Sequence, residues 1–303
     1  MNKKQLATLA AILGNGIFGF SFMFSRMALD VASPFVMLMY RFCIAFAAIN
    51  VVALWAAKRR GTDAADWLRF SLKGKDARPL IILGIVQPVA YFLCESYGIS
   101  LTNSVLSGVI IALVPIVAQI FGVIFLSEKP RRAQVGYCAL SIVGVIAMTL
   151  QQSSGGDIHP IGVVLLFGAV LTGVLFNIIS RKTADTFSAL ERTYVMMLVA
   201  AVCFTALAML ECRGNMIWML APLTSGRFLG AMLYLSLASS IMAFLLLNFA
   251  NGELPVGKVT AFCNLTTVIS VFAGVVFLGE PFTAISLIAS VVIIVGVWGV
   301  QKA

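Results

Sequence analysis

Charge is what this chain has least of. Asp, Glu, Lys and Arg make up 11% of its 303 residues and hydrophobic residues 61%, whereas soluble domains are about a quarter charged. That balance excludes an ordinary soluble enzyme, and no polar segment is long enough to form a separate catalytic domain. Histidine occurs once, at His159 in a polar segment before Pro160. A membrane enzyme needs His, Asp or Glu clustered at bilayer depth, and the sequence holds no such cluster. No Gly-rich phosphate loop ending in Lys and Ser or Thr occurs, so ATP-driven pumping by this chain alone is excluded. The six cysteines stand singly in or beside apolar stretches and never as a C-x-x-C pair, which favours small packing residues over metal or disulfide roles. No catalytic residue, cofactor or metal is expected.

Long apolar runs fill the space. They are Leu6–Phe24, Phe35–Ala57, Leu80–Tyr97, Val105–Leu126, Val135–Leu150, Ile161–Ile179, Tyr194–Leu210, Phe228–Ala250, Val259–Leu278 and Ile285–Val300. A helix rises ~1.5 Å per residue, so about 20 apolar residues cross a ~30 Å hydrocarbon core. The reading is an all-α integral membrane protein with ten transmembrane helices. The first run follows Lys3 and Lys4 but is too long for a cleaved signal sequence, so it is expected to be retained.

The net charge of +9 sits in short loops between these runs, which points to the lipid bilayer and away from nucleic acid. With the N-terminus inside, sixteen Lys and Arg fall on the inner side and three (Arg26, Arg213, Arg227) outside. The positive-inside rule then puts both termini in the cytoplasm of a cell (inner or plasma) membrane protein. The Lys58–Arg78 loop carries Trp67, Leu68, Phe70 and Leu72 among basic residues. It fits a short amphipathic helix along the inner surface or a plain basic linker.

The second half repeats the first. Gly122-Val-Ile-Phe-Leu-Ser-Glu128 answers Gly274-Val-Val-Phe-Leu-Gly-Glu280, and Ser25-Arg26, Asp30 and Ser33 answer Ser180-Arg181, Asp185 and Ser188. The units are residues 1–150 and 151–303. Five helices is an odd number, so the second repeat is inverted relative to the first. Inverted repeats suit alternating access, with a substrate site between the halves near the midplane; duplication that serves only folding is the plainer alternative.

Three motifs carry a resemblance to a known family. One is the opening Gly14-Asn-Gly16-Ile-Phe-Gly19-Phe-Ser-Phe with Ser33-Pro34 and Tyr40-Arg41-Phe42. The second is Pro115 with Phe-Leu-x-Glu ending at Glu128. The third is Asn248-x-Ala250, Phe262-x-Asn264-Leu265 and the second Phe-Leu-x-Glu at Glu280. In order and spacing these resemble the EamA family of the drug/metabolite transporter superfamily over nearly the full length. The resemblance implies a ten-helix inverted-repeat transporter, commonly an exporter of amino acids or other small metabolites. Phe18, where such helices often carry Trp, and Thr267, where Pro is common, depart from the pattern. Small four-helix exporters of the superfamily use a Glu in helix one, where this chain has Asn15 and no acid.

Several polar stripes mark a path through the bundle. Gly84, Gln87, Tyr91, Glu95 and Gly98 recur at three- or four-residue steps beside Pro88, and Ser236, Ser240, Phe244 and Asn248 at four-residue steps. Asn264, Thr267 and Gly274 share a face, as do Ser107, Ile111, Pro115 and Gln119; Asn15, Phe18 and Phe22 lie on the first helix, with Asn177 as a counterpart to Asn15. Polar groups facing lipid are costly, so these stripes face the interior, as a solute path or as interhelical hydrogen bonding. The substrate-binding candidates are Asn15, Phe18, Phe22, Gln87, Tyr91, Pro115, Gln119, Asn177, Ser240, Asn248, Asn264 and Thr267. Arg41 and Glu95 are the only formal charges inside the runs. Their similar depth permits an ion pair that gates the outer mouth, or proton exchange at Glu95. Gly14, Gly144, Gly274, Gly296 and Gly299 are expected at close helix contacts. Glu128 and Glu280 are expected as helix-end caps.

The function these readings support is secondary transport of small zwitterionic or neutral metabolites such as amino acids, in the export direction, by alternating access. Protons are a candidate coupling ion, and the protein is a monomer or homodimer. The alternatives are exchange of phosphorylated metabolites or nucleotide sugars, which wants several cations where only Arg41 is present, and a membrane receptor or structural protein.

Overall fold

The computed structural model describes residues 2–58, 68–118, 121, 132–153, 158–213, 215–254, 259, 262–279 and 283–302. Regular structure among them is entirely helical: α1 (Lys3–Leu29), α2 (Pro34–Lys58), α3 (Arg78–Ser100), α4 (Ser104–Ala118), α5 (Arg132–Ser153), α6 (Pro160–Thr183), α7 (Ala189–Glu211), α8 (Gly226–Glu253), α9 (Cys263–Leu278) and α10 (Ala284–Lys302), with a short helix Met216–Leu220 and a 3-10 turn Ala221–Thr224 between α7 and α8. Six of these, α1, α2, α3, α6, α7 and α8, are long and apolar enough to cross a membrane, and α4, α9 and α10 hold shorter apolar helices. Large apolar side chains such as Val51, Val164, Val202 and Leu210 point outward, each more than 60% exposed. In water that surface would be costly; in hydrocarbon it is the solvent-facing surface of a membrane protein.

Local sequence sets the helix starts. Asn2 accepts the Gln5 N–H at 2.8 Å while Gln5 Oε1 accepts the Asn2 N–H at 3.0 Å. Ser188 and Glu191 repeat this reciprocal cap at α7, at 3.1 and 2.9 Å, which satisfies donors a helix start leaves open. Asn103 caps α4. Exposed His159 accepts the Ile161 N–H ahead of α6, with Pro160 as its first residue.

Polar contacts sort the connections onto two ends. At one end Lys3 pairs with Glu253 at 2.9 Å, Lys75 with Glu191 at 2.8 Å, and Arg181 donates to the Asn251 and Gly252 carbonyls. At the other, Ser33 donates to Glu211, Arg227 lies 3.9 Å from Asp30, and the His159 N–H donates to the Leu101 carbonyl at 2.9 Å. Successive helices therefore run up and down, as an alternation of spans requires.

The helix neighbours are symmetric between halves. α2 packs on α7, α4 on α9 and α5 on α10; α1 meets α8 and α9 as α6 meets α3 and α4; α2 touches α8 as α7 touches α3. Exchanging the two halves leaves this set unchanged. The helices widen to π geometry at related places, Ile85–Ala90 in α3 and Tyr234–Ala243 in α8.

Small residues set the closest approaches. A methyl on Gly14 would meet Leu247, and one on Gly144 would lie 2.6 Å from Ile293 Cγ1; Gly296 and Gly299 sit against Ser141 and Tyr137. These four stand at close helix contacts, as their size predicts.

Of the two readings of the inner loop, the described residues from Leu68 onward fit the linker: Phe70 and Leu72 pack on the core, with Phe70 4.9 Å from the Tyr194 ring. The Ser71 N–H and Lys75 bind Glu191, tying this segment to the start of α7. Residues 59–67, with Trp67, lie outside the described residues, as do Glu128 and Glu280. The expected four-residue face on α8 is broken, because the π segment changes the angular step between Ser236 and Phe244.

Candidate substrate cavity

One cavity lies among α1, α3, α4, α6, α8 and α9, with walls from both halves. It is a narrow cleft, with about 60 Å³ of space for a water-sized sphere. α1 supplies Asn15, Phe18 and Phe22, and α3 supplies Gln87, Tyr91, Phe92 and Glu95. Ile111 and Val114 come from α4, Gly173, Phe176 and Asn177 from α6, and Leu247 from α8. Cys263 and Thr266 of α9, with Val259 just before it, complete the wall.

The break in α3 positions the polar side. Gln87 has φ −147° and ψ 119°, an extended conformation inside a helix, and Pro88 follows without an N–H. Beyond the break regular helix resumes, and the four-residue step lets the Tyr91 hydroxyl donate to Glu95 Oε1 at 3.1 Å. The other carboxylate oxygen, Oε2, is buried and has no hydrogen-bond partner, and neither has Gln87 Oε1. The glycines of the same stripe do other work. Gly84 admits Val199 of α7, and Gly98 admits Leu166 of α6.

Aromatic rings form the apolar side. Phe244 sits at their centre, edge-on to Phe18 at 5.2 Å, to Phe176 at 5.7 Å and to Phe92 at 6.2 Å. Such edge-to-face contacts hold the rings in fixed orientations around the cavity.

Asn15 and Asn177 have matching environments. Each donates its amide N–H to the carbonyl four residues earlier, Ala11 and Gly173, at 2.8 Å. Asn15 Oδ1 then faces the Thr266 hydroxyl at 3.3 Å, and Asn177 Oδ1 accepts from Asn251 at 3.1 Å. Each therefore spends one of its two amide N–H groups on its own helix and uses its carbonyl oxygen to link that helix to a neighbour.

Of the residues singled out from the sequence, Asn15, Phe18, Phe22, Gln87, Tyr91, Asn177 and Glu95 come together on this wall. The others are placed elsewhere. Thr267 is buried and donates to the Gly108 carbonyl at 3.0 Å, joining α9 to α4. Pro115 is buried in α4 outside the lining. Asn248 accepts from Ser180 at 2.8 Å and donates to Thr193 at 2.9 Å, while its carbonyl accepts from Arg192 at 2.7 Å. Gln119 and the side chain of Asn264 lie outside the described residues.

Arg41 is fully buried but stands behind the wall. Its Nε donates to Ser240 at 2.9 Å and its Nη2 to Ser239 at 2.8 Å, with the guanidinium 4.0 Å from the centre of the Phe92 ring. The expected ion pair with Glu95 is not made. Arg41 Nη1 and Glu95 Oε2 each lack a hydrogen-bond partner, although the two groups are close enough to interact coulombically. The physical reason is the π segment of α8, which brings two consecutive serines within reach of the guanidinium and holds it there.

Sequence reasoning missed part of the apolar lining, Phe92 and Phe176 above all, and Arg192. Phe92 and Phe176 adjoin residues that were picked, Tyr91 and Asn177, but apolar residues in a helix give no sign of which face they take. Arg192, 2% exposed, donates to Ser180 and Asn248 at the end of the bundle that carries Lys3. It stands two residues before the apolar run Tyr194–Leu210, where a charge ordinarily marks the membrane boundary.

A membrane-embedded helical bundle whose halves share one polar-aromatic cavity has the build of a small-solute transporter. The chain belongs to the EamA-like transporter family, whose sequence pattern matches residues 5–150 and again 160–301. It is 30% identical to the uncharacterized transporter YcxC of Bacillus subtilis over 98% of this chain and 93% of that one. It is 22% identical to the uncharacterized transporter YyaM of the same organism, over 97% and 93% of the two chains. A crystal structure that is 18% identical superposes with a TM-score of 0.68 over 98% of this chain and 97% of the other, which shows the shared fold.

Proposed function

We propose that this transporter carries small organic solutes of about amino-acid size through the cavity between two inverted five-helix repeats, residues 1–150 and 151–303, by alternating access. The observation that carries the reading is the cavity itself, walled by both halves and lined by amides, a hydroxyl pair, aromatic rings and one carboxylate. The doubled family match and the symmetric set of helix neighbours support ten spans in two related halves. Rocking one half against the other would then expose the same residues to either side.

Both termini are cytoplasmic in this reading, in a cell membrane, because the end that carries Lys3, Lys75 and Arg181 is the basic one. Export is the direction that the family resemblance favours. Exchange of phosphorylated metabolites is the weaker reading: the lining among the described residues includes no Lys or Arg, and Arg41 is held behind Phe92.

The test is counterflow and efflux in proteoliposomes against a panel of amino acids, amines and neutral metabolites, with and without a pH gradient. Tyr91→Ala should reduce flux while insertion and thermal stability stay near those of the parent. Flux of no panel member above that of empty liposomes would refute the reading.

A further inference from the structure

The hydrogen-bond inventory of the cavity narrows the substrate class, an inference that rests on the transporter reading above. No charged donor stands on the wall, and part of its neutral donors are spent. Asn15 and Asn177 each give one amide N–H to their own helix at 2.8 Å, the Tyr91 hydroxyl goes to Glu95 at 3.1 Å, and the Thr266 hydroxyl goes to the Asn15 carbonyl at 2.9 Å. The second amide N–H of Asn15 and of Asn177, the Gln87 amide and the Cys263 thiol remain as side-chain donors among the described lining residues, and none is charged.

Acceptors are left over. Glu95 Oε2 and Gln87 Oε1 have no partner in side chains that are 3% and 5% exposed. A buried polar atom without a partner is destabilising, and more so when it belongs to a charged group. A ligand that donates hydrogen bonds removes that cost; one that only accepts does not. The rings beside these acceptors act in the same direction, since the faces of Phe18, Tyr91, Phe92 and Phe176 carry the negative end of the aromatic quadrupole. The nearest guanidinium, Arg41, gives its Nε and Nη2 to Ser240 and Ser239 and stands behind Phe92, and its unpartnered Nη1 lies outside the cavity lining.

We propose that the cavity binds organic amines: a protonated amino group donates to Glu95 and Gln87, and an apolar body lies among the aromatic rings. A carboxylate on the same molecule meets no charged donor, so an amine binds more tightly than the amino acid of the same skeleton.

Three probes with one phenyl body separate the possibilities: phenethylamine, phenylalanine and 3-phenylpropionate, titrated calorimetrically into the purified full chain in detergent at neutral pH. Phenethylamine should bind about ten- to a hundredfold more tightly than 3-phenylpropionate, the span of one charge-assisted hydrogen bond, with phenylalanine between them. Glu95→Gln should remove that margin. Equal affinities, the reverse order, no binding of phenethylamine, or a margin that survives in Glu95→Gln overturns the proposal. If Glu95→Gln does not fold, the order in the parent protein and a reduced margin in Gln87→Leu decide it. Liposome flux separates the two readings: amine binding without flux of any solute refutes transport and leaves the amine site standing, whereas flux of an amino acid or anion with no amine preference does the opposite.

Discussion

Gly16 and Gly19 lie about one turn apart on α1, both beside α9, and alanine should affect them in opposite directions. A methyl on Gly19 would sit 2.6 Å from Ile269 Cβ, 2.7 Å from its Cγ2 and 3.0 Å from the Thr266 carbonyl oxygen. Carbon contacts become ordinary near 3.4 Å, so α1 and α9 must separate by about 0.8 Å. A methyl on Gly16 meets nothing nearer than 3.7 Å. Overpacking costs about 1–3 kcal/mol, against a gain of about 1 kcal/mol for replacing glycine by alanine within a helix. Gly19→Ala should therefore lose up to about 2 kcal/mol, and Gly16→Ala should be neutral or slightly stabilising.

Function should follow the same contact. The Thr266 hydroxyl donates to the Asn15 carbonyl at 2.9 Å across this interface, and both residues line the cavity. A shift of about 0.8 Å stretches that bond beyond hydrogen-bonding range, so Gly19→Ala should also slow transport. The assay is thermal unfolding of the purified variants in one detergent, with flux measured in liposomes. Ile269→Gly removes both close carbons, so it should cost less in the Gly19→Ala background than in the parent. If Gly16→Ala and Gly19→Ala unfold at the same temperature as the parent, or if Ile269→Gly costs the same in both backgrounds, the close-packing argument is wrong.

Arg41→Gln should be destabilising, because it gives up charge-assisted bonds to Ser239 and Ser240 worth about 1.5–3 kcal/mol each. A double-mutant cycle with Glu95→Gln should show a coupling below about 1 kcal/mol; a coupling near 3 kcal/mol would mean that the two charges pair directly. Asn248→Leu should cost about 1–3 kcal/mol through the lost Ser180 and Thr193 bonds, yet leave solute affinity unchanged, since Asn248 stands outside the cavity wall. A large change in affinity with normal stability would place it in the solute path instead. For orientation, an impermeant thiol reagent outside cells should label Thr224→Cys and spare Ser71→Cys, with the reverse pattern refuting cytoplasmic termini.

Much of the architecture was legible in the chain because the membrane imposes a simple rule. Backbone polar groups in hydrocarbon must be satisfied within the segment, so an apolar run of sufficient length reads as a helix. The helix starts were equally local: Asn2 with Gln5, and Ser188 with Glu191, need only a three-residue spacing. Part of the cavity could be read as well. Tyr91 and Glu95 are four apart on one helix and meet as that spacing requires.

What the chain could not show is which face meets which neighbour. Depth along the bilayer made Arg41 and Glu95 equivalent, but depth is one coordinate, and azimuth around each helix decides contact. The π segment in α8 resets that azimuth, so Ser239 and Ser240 take the guanidinium and Asn248 turns toward α6 and α7. The extended Gln87 does the same in α3, separating Gln87, Tyr91 and Glu95 from Gly84 and Gly98 of the same stripe. The sequence by itself determined the helices, their caps and the doubled order of motifs, because these depend on burial in lipid and on neighbours within a few residues. Only the tertiary structure decided which polar atoms were paired off and which two, on Glu95 and Gln87, were left without a partner in the cavity wall, because hydrogen-bond partners are assigned by the packing of helices distant in the chain.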